Sequence, residues 1–215
     1  MRPDEQISVI RDVGIVAIVR GTSSRSLVET AAALRDGGIK AIEVTLNTPG
    51  AVCMIEKLAQ ECGNNMLVGA GTVLDPETAR TVILAGAKFV LAPSLNPLVS
   101  KMCNRYSVSY IPGVFTPTEI VAAWESGAQI VKIFPAGSVG PRYIRELRGP
   151  LSQIEMMPVG GVTLENAADF IRAGASALGI GSELIDRQAV DMGNFDLITK
   201  KARQFINAVK EGREK

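Results

Sequence analysis

The 215-residue chain predicts an α/β fold, a parallel (β/α)8 barrel formed as a single domain over residues 1–215 behind a short N-terminal helix. Three observations predict it. Short runs rich in β-branched residues alternate with helical patterns along the whole sequence. No two of these runs lie close enough for a hairpin, so helices join successive strands and the strands run parallel. Four of the strands are entered through the same glycine-led junction, a weak internal repeat. Strand counting alone also admits an open doubly wound sheet; the chain length favours the barrel.

The elements follow in order. A leading helix lies around Pro3–Arg11, strand one over Gly14–Arg20, and a helix over Ser24–Asp36, opened by serine caps. Further strands are predicted at Ala41–Leu46, Met66–Gly69, Phe89–Ala92, Val108–Ile111, Ile130–Phe134, Glu155–Val159 and Ala177–Ile180. Helical patterns near Ala51–Gln60, Pro76–Ala85, Pro97–Arg105, Pro117–Ser126, Pro141–Leu147 and Leu164–Ala173 separate them, and a last helix covers Phe195–Lys210. The repeated junctions begin at Gly37, Gly86, Gly127 and Gly174. Five residues after Gly38, Gly86, Gly127 and Gly174 stand Glu43, Leu91, Lys132 and Gly179, all in one strand phase. A barrel interior is layered, four side chains per layer from alternate strands. Sharing a layer, Glu43 and Lys132 face each other and Gly179 leaves space beside them.

Composition narrows the classes of function. Hydrophobic residues make up 47% of the chain and the net charge is +1, which suits one compact core and leaves no basic run for nucleic acid. The acidic N-terminal stretch has no signal-peptide pattern and no later run approaches a membrane span, so the expected location is cytoplasmic. Cys53, Cys62 and Cys103 lack metal-ligand spacing and read as reduced, mostly buried thiols. There is no histidine. That excludes Ser-His-Asp and Cys-His nucleophiles and histidine-ligated metals, and neither a metal nor a cofactor is expected.

Chemistry concentrates on Lys132. An ammonium inside an apolar strand is costly, and the usual escape is a lowered pKa that leaves a nucleophilic amine of the kind used in Schiff bases. The bland alternative is a lysine that points outward between helices. Glu43, the one ionisable residue of its strand, is its prospective acid/base partner or merely its salt-bridge partner. Gly160-Gly161 and Gly181-Ser182, at the ends of strands seven and eight, each lead into a helix and form a phosphate-type cradle. Arg20 and Thr72 suit a small carboxylate, and Pro93 and Phe134 an apolar wall, unless they are a surface ion pair and core filling.

These residues resemble a known family. Glu43-Val44-Thr45-Leu46, Gly69-Ala70-Gly71-Thr72-Val73, Ile111-Pro112-Gly113, Lys132-Ile133-Phe134-Pro135 and Gly160-Gly161-Val162 occur in the order seen in class I aldolases acting on 2-keto-3-deoxy-6-phosphogluconate (KDPG) and, in many members, 4-hydroxy-2-oxoglutarate (KHG). The resemblance implies a TIM barrel, a homotrimer and no metal. By position it implies Lys132 as the Schiff-base lysine, Glu43 as general acid/base, Thr72 as a pyruvate-carboxylate contact, Pro93 and Phe134 as pocket wall, and Gly160, Gly161, Gly181 and Ser182 as the phosphate end. Two positions depart from it. Asn47 stands where several members carry arginine, which passes the carboxylate to Arg20. Val159 stands where many gluconate members carry threonine; in this, and in Gly140-Pro141-Arg142-Tyr143-Ile144, the chain resembles the sister enzymes that cleave 2-keto-3-deoxy-6-phosphogalactonate.

The implied reaction is a reversible retro-aldol cleavage to pyruvate and an aldehyde. A phosphosugar isomerase or epimerase using Glu43 as base, with Lys132 as an electrostatic aid, is the competing enzyme class. A non-catalytic phosphometabolite-binding protein is the third reading.

Overall fold

The computed structural model describes residues 1–21 and 26–214. Strands and helices alternate as predicted: α1 (Pro3–Val13), β1 (Ile15–Val19), α2 (Leu27–Asp36), β2 (Ala41–Thr45), α3 (Ala51–Cys62), β3 (Leu67–Gly71), α4 (Pro76–Leu84), β4 (Phe89–Leu91), α5 (Pro97–Arg105), β5 (Ser109–Ile111), β6 (Gly113–Val114), α6 (Pro117–Glu125), β7 (Ile130–Ile133), α7 (Gly140–Arg148), β8 (Glu155–Pro158), α8 (Leu164–Arg172), β9 (Leu178–Ile180), α9 (Arg187–Asp191) and α10 (Phe195–Arg213). Ser24, predicted to open the second helix, lies outside the described residues. α9 is the short helix expected after Gly181-Ser182; it has too few residues to carry a helical period, and it begins only at Arg187.

Every strand pairing is parallel. One sheet runs β5-β4-β3-β2-β1-β9 and a second β6-β7-β8. The predicted fifth strand, Val108–Ile111, is found as β5, and a further short strand, β6, follows it beyond Pro112, which has no N–H to give the ladder. Its carbonyl still accepts from the Lys132 amide at 2.9 Å. At the other margin a parallel bridge between Val159 and Gly179 links β8 to β9.

The strands are buried on both faces, as parallel strands beneath crossover helices must be. Outward side chains such as Ile42, Val44, Val68, Val90 and Val131 pack with the helices. Inward ones, among them Ile18, Ala41, Leu67, Phe89, Leu91, Ile111, Ile130 and Met157, form a separate cluster drawn from both sheets. Side chains of so many strands can meet only where the sheet curls around them. α1 closes the N-terminal end: Ile7 and Ile10 join the inner cluster, and buried Gln6 accepts from the Ser109 amide at 2.8 Å.

The glycine-led junctions share one geometry. Gly38, Gly86, Gly127 and Gly174 adopt φ of 99°, 107°, 94° and 104°, and the next residue's N–H bonds back to the last helical turn (Ile39 to Leu34, Ala87 to Val82, Ala128 to Ala123, Ala175 to Phe170). A glycine in this left-handed region ends each helix without a Cβ penalty and sets the phase of the following strand. Glu43, Leu91, Lys132 and Gly179 accordingly all fall on the inner face. Among the described residues no helix is long and apolar enough to cross a membrane, Cys53 is exposed, and Cys62 and Cys103 are buried and free.

Candidate active site

Lys132 in the middle of β7 is 5% exposed and Glu43 in the middle of β2 is 1% exposed. Both point inward, which removes the outward-lysine alternative. Burial lowers the Lys132 pKa; Glu43 opposes this and the Arg20 charge reinforces it. Burial raises the Glu43 carboxyl to about 7, against the pull of Lys132 and Arg20. The two heads feel each other's charge, yet among the described residues they form no ion pair within 4.0 Å. Glu43 Oε2 is buried without a hydrogen-bond partner. Lys132 Nζ lies 4.8 Å from the centroid of the Phe134 ring. A buried carboxyl oxygen without a hydrogen-bond partner, beside a buried amine that forms no ion pair with it, is a poor stability device and a good reagent.

The glycines of Gly69-Ala70-Gly71 make room for this arrangement. A Cβ on Gly69 would lie 2.5 Å from the Phe89 ring, and one on Gly71 would lie 2.5 Å from Glu43 Oε2. Gly71→Ala should therefore leave the circular-dichroism spectrum unchanged while displacing the carboxylate. A misplacement of that size costs about 10²-fold in kcat, measurable by steady-state kinetics. Thr72 follows with φ of 60°, half-buried at the end of β3.

A cavity of about 330 Å³ is lined by Arg20, Phe134, Gly160, Gly161, Gly181 and Ser182, together with Val159, Ile18, Glu183 and Arg187; Lys132 and Glu43 are not on its wall, and Phe134, whose ring lies beside the Lys132 amine, is shared between the two. Most of the predicted ligand residues thus share one cavity. Thr72 and Pro93 do not line it; they end β3 and β4, and the Pro93 backbone packs against Gly113, where a Cβ would meet its carbonyl carbon at 2.2 Å. Arg20, exposed at the end of β1, is fixed from the β2 side. The Gly21 amide donates to Thr48 Oγ1 at 3.0 Å, and Thr45 Oγ1 donates to the Val19 carbonyl at 3.3 Å. Asn47 lies exposed in that same turn.

The glycine turns differ from expectation in two respects. Gly160 and Gly161, at φ of 83° and 75°, do lead into α8, and the Thr163 amide is taken by Asn166 Oδ1 at 2.8 Å. Gly181-Ser182-Glu183 does not open a helix: the Leu184 and Ile185 amides bond back to the Gly181 carbonyl, and α9 starts only at Arg187. Among the described residues nothing accepts from the amides of Gly161, Val162, Ser182 or Glu183, which leaves these donors for an anion. The space expected beside Gly179 is filled, since a Cβ there would meet Val159 Cγ2 at 2.6 Å. Ile18 could have been found, because it sits two residues before Arg20 on the same face. Arg187 gave no periodic signal. Among the described residues no group of three or more Cys, Asp or Glu converges as a metal site.

A family model described as "KDPG and KHG aldolase" matches residues 6–201. The 2-dehydro-3-deoxy-6-phosphogalactonate aldolase of Escherichia coli (strain K12) is 35% identical over 92% of this chain and 95% of its own. The 2-dehydro-3-deoxy-phosphogluconate aldolase of Treponema pallidum (strain Nichols) is 34% identical over 95% and 96%. Among solved structures, the KDPG aldolase of Legionella pneumophila, with pyruvate captured at low pH as a covalent carbinolamine intermediate, superimposes with a TM-score of 0.86 at 27% identity, covering 92% of this chain and 96% of that one.

Proposed function

The chain belongs to the KDPG and KHG aldolase family, and from that premise we propose that it is a Schiff-base lyase cleaving 2-keto-3-deoxy-6-phosphogluconate reversibly to pyruvate and glyceraldehyde 3-phosphate, and 4-hydroxy-2-oxoglutarate to pyruvate and glyoxylate. One observation carries the reading: an inward amine of lowered pKa shares the interior with a carboxyl near neutrality, and among the described residues Glu43 Oε2 has no hydrogen-bond partner. In the same proposal the chain is one domain, the two sheets are arcs of a single eight-stranded barrel joined through Pro112 and the Val159–Gly179 bridge, the assembly is a homotrimer as the family resemblance implies, and the enzyme is cytoplasmic.

Neutral Lys132 Nζ attacks the C2 ketone, and Glu43 passes a proton to the departing hydroxyl, which leaves as water. The resulting protonated imine is an electron sink. Glu43, now ionised, removes the C4 hydroxyl proton, the C3–C4 bond breaks, its electrons form an enamine, and the aldehyde departs. Glu43 returns the proton to C3, and hydrolysis of the imine frees pyruvate and Lys132. A carboxyl with a pKa of about 7 can both donate and accept near neutral pH. Arg20 and Thr72 hold the pyruvate carboxylate, Pro93 and Phe134 flank its methylene, and Gly160, Gly161, Gly181 and Ser182 receive the phosphate.

A second reading, the phosphogalactonate aldolase, is favoured by Val159, whose methyl fills the notch at Gly179. The two substrates differ only at C4. The test is kcat/KM of the pure protein on both phosphates and on 4-hydroxy-2-oxoglutarate. The gluconate phosphate is expected to be preferred, and Val159→Thr to move the gluconate-to-galactonate ratio up by about tenfold. A wild-type preference for the galactonate phosphate would hand the assignment to the second reading.

A further inference from the structure

Arg20 and Arg187 are the two cationic side chains on the cavity wall among the described residues, and they sit differently. Arg20 ends β1 close enough to the reactive pair for its charge to lower the pKa of both Glu43 and Lys132. Arg187 perturbs neither. It stands at the start of α9, on the side of the cavity formed by Gly181, Ser182 and Glu183. Its own partner is weak: Asp191 lies at 3.9 Å, and the Arg187 side chain is 80% exposed. A guanidinium so loosely held beside free backbone amides is available to an anion arriving from solvent. Glu183 shares that wall, and over the cavity as a whole two arginines stand against one carboxylate.

We infer that Arg187 is a specificity-determining residue, which grips the terminal phosphate of the substrate together with the amides of Gly161 and Ser182 while Arg20 holds the carboxylate at the reacting end. The inference rests on the aldolase reading. It divides the cavity into a carboxylate end and a phosphate end, each with its own arginine, and makes Arg187 the group that separates phosphorylated from unphosphorylated keto acids.

The test compares Arg187→Gln and Arg187→Lys with wild type on the phosphorylated substrates and on 4-hydroxy-2-oxoglutarate. Arg187→Gln should lower kcat/KM on the phosphates by about tenfold, the scale of one rim-exposed charge-assisted contact. The loss should appear in KM, Arg187→Lys should recover part of it, and cleavage of 4-hydroxy-2-oxoglutarate should stay within about twofold of wild type. Equal losses on both substrate types would make Arg187 a support for the Gly181–Ile185 turn, and no loss on either would make it a bystander; both overturn the inference. Binding of inorganic phosphate, followed calorimetrically, judges Arg187 even if no substrate turns over. A wild type that binds phosphate through Arg187 yet cleaves nothing sinks the aldolase reading alone.

Discussion

Incubation with pyruvate and sodium borohydride is expected to fix one three-carbon unit on Lys132, with a mass gain equal to that of pyruvic acid less one oxygen atom, and to inactivate the enzyme in step. Reduction captures only an imine, so an adduct on this residue separates covalent catalysis from any scheme in which Lys132 acts through charge alone. Lys132→Arg sharpens the distinction. A guanidinium keeps the positive charge but cannot lose its proton in a protein. Turnover should fall by at least about 10⁴-fold, the scale on which loss of a covalent nucleophile acts. An isomerase or epimerase needing only a cation opposite Glu43 would retain appreciable activity. Should arginine prove too large to fold at a site 5% exposed, Lys132→Met supplies the control. It replaces a buried unpaired amine with an apolar chain of similar length and should be at least as stable as wild type while equally inactive. Trapping at any other lysine, or none at all, would refute the mechanism.

The sequence exposed the part of this site that depends on periodicity. A lysine and a glutamate at the same distance from a helix-ending glycine must share a strand phase, and Gly38 and Gly127 adopt the same backbone conformation, so both side chains point inward. What depends on packing between distant segments stayed hidden. Gly71 appears in sequence only as part of the Gly69-Ala70-Gly71-Thr72-Val73 motif; its role, to leave room for the Glu43 carboxylate, appears only when β2 and β3 are side by side. Gly179 reads as empty space until β8 brings Val159 onto it. Arg187 belongs to a helix too short for a hydrophobic period, and its relevance comes from sharing a cavity wall with Gly181 and Ser182. The strand Gly113–Val114, past the predicted end of strand five at Ile111, pairs with β7 while β5 pairs with β4, and which neighbour so short a segment joins is a tertiary matter.

Glu43→Gln is expected to separate carbon–carbon cleavage from imine formation and to reveal what the buried carboxyl costs the fold. Loss of the acid/base group should lower kcat by about 10²- to 10⁴-fold. Borohydride trapping of pyruvate should continue, more slowly, because Lys132 stays buried and loses the carboxylate that holds its pKa up. Stability should move the other way, in a pH window set by the carboxyl itself. Its pKa rises from 4.5 to about 7 on folding, so the folded protein holds that proton more tightly than the unfolded chain. Glu43 thus costs nothing below about pH 4.5, progressively destabilises the fold as pH rises from there to about 7, and imposes the full deficit above; a shift of this size corresponds to on the order of 3 kcal/mol. Glutamine removes that dependence. The Tm of Glu43→Gln should match wild type near pH 4 and exceed it at pH 8. Identical pH–Tm curves for the two proteins would mean that Glu43 ionises as freely folded as unfolded, and the acid/base assignment would go with it.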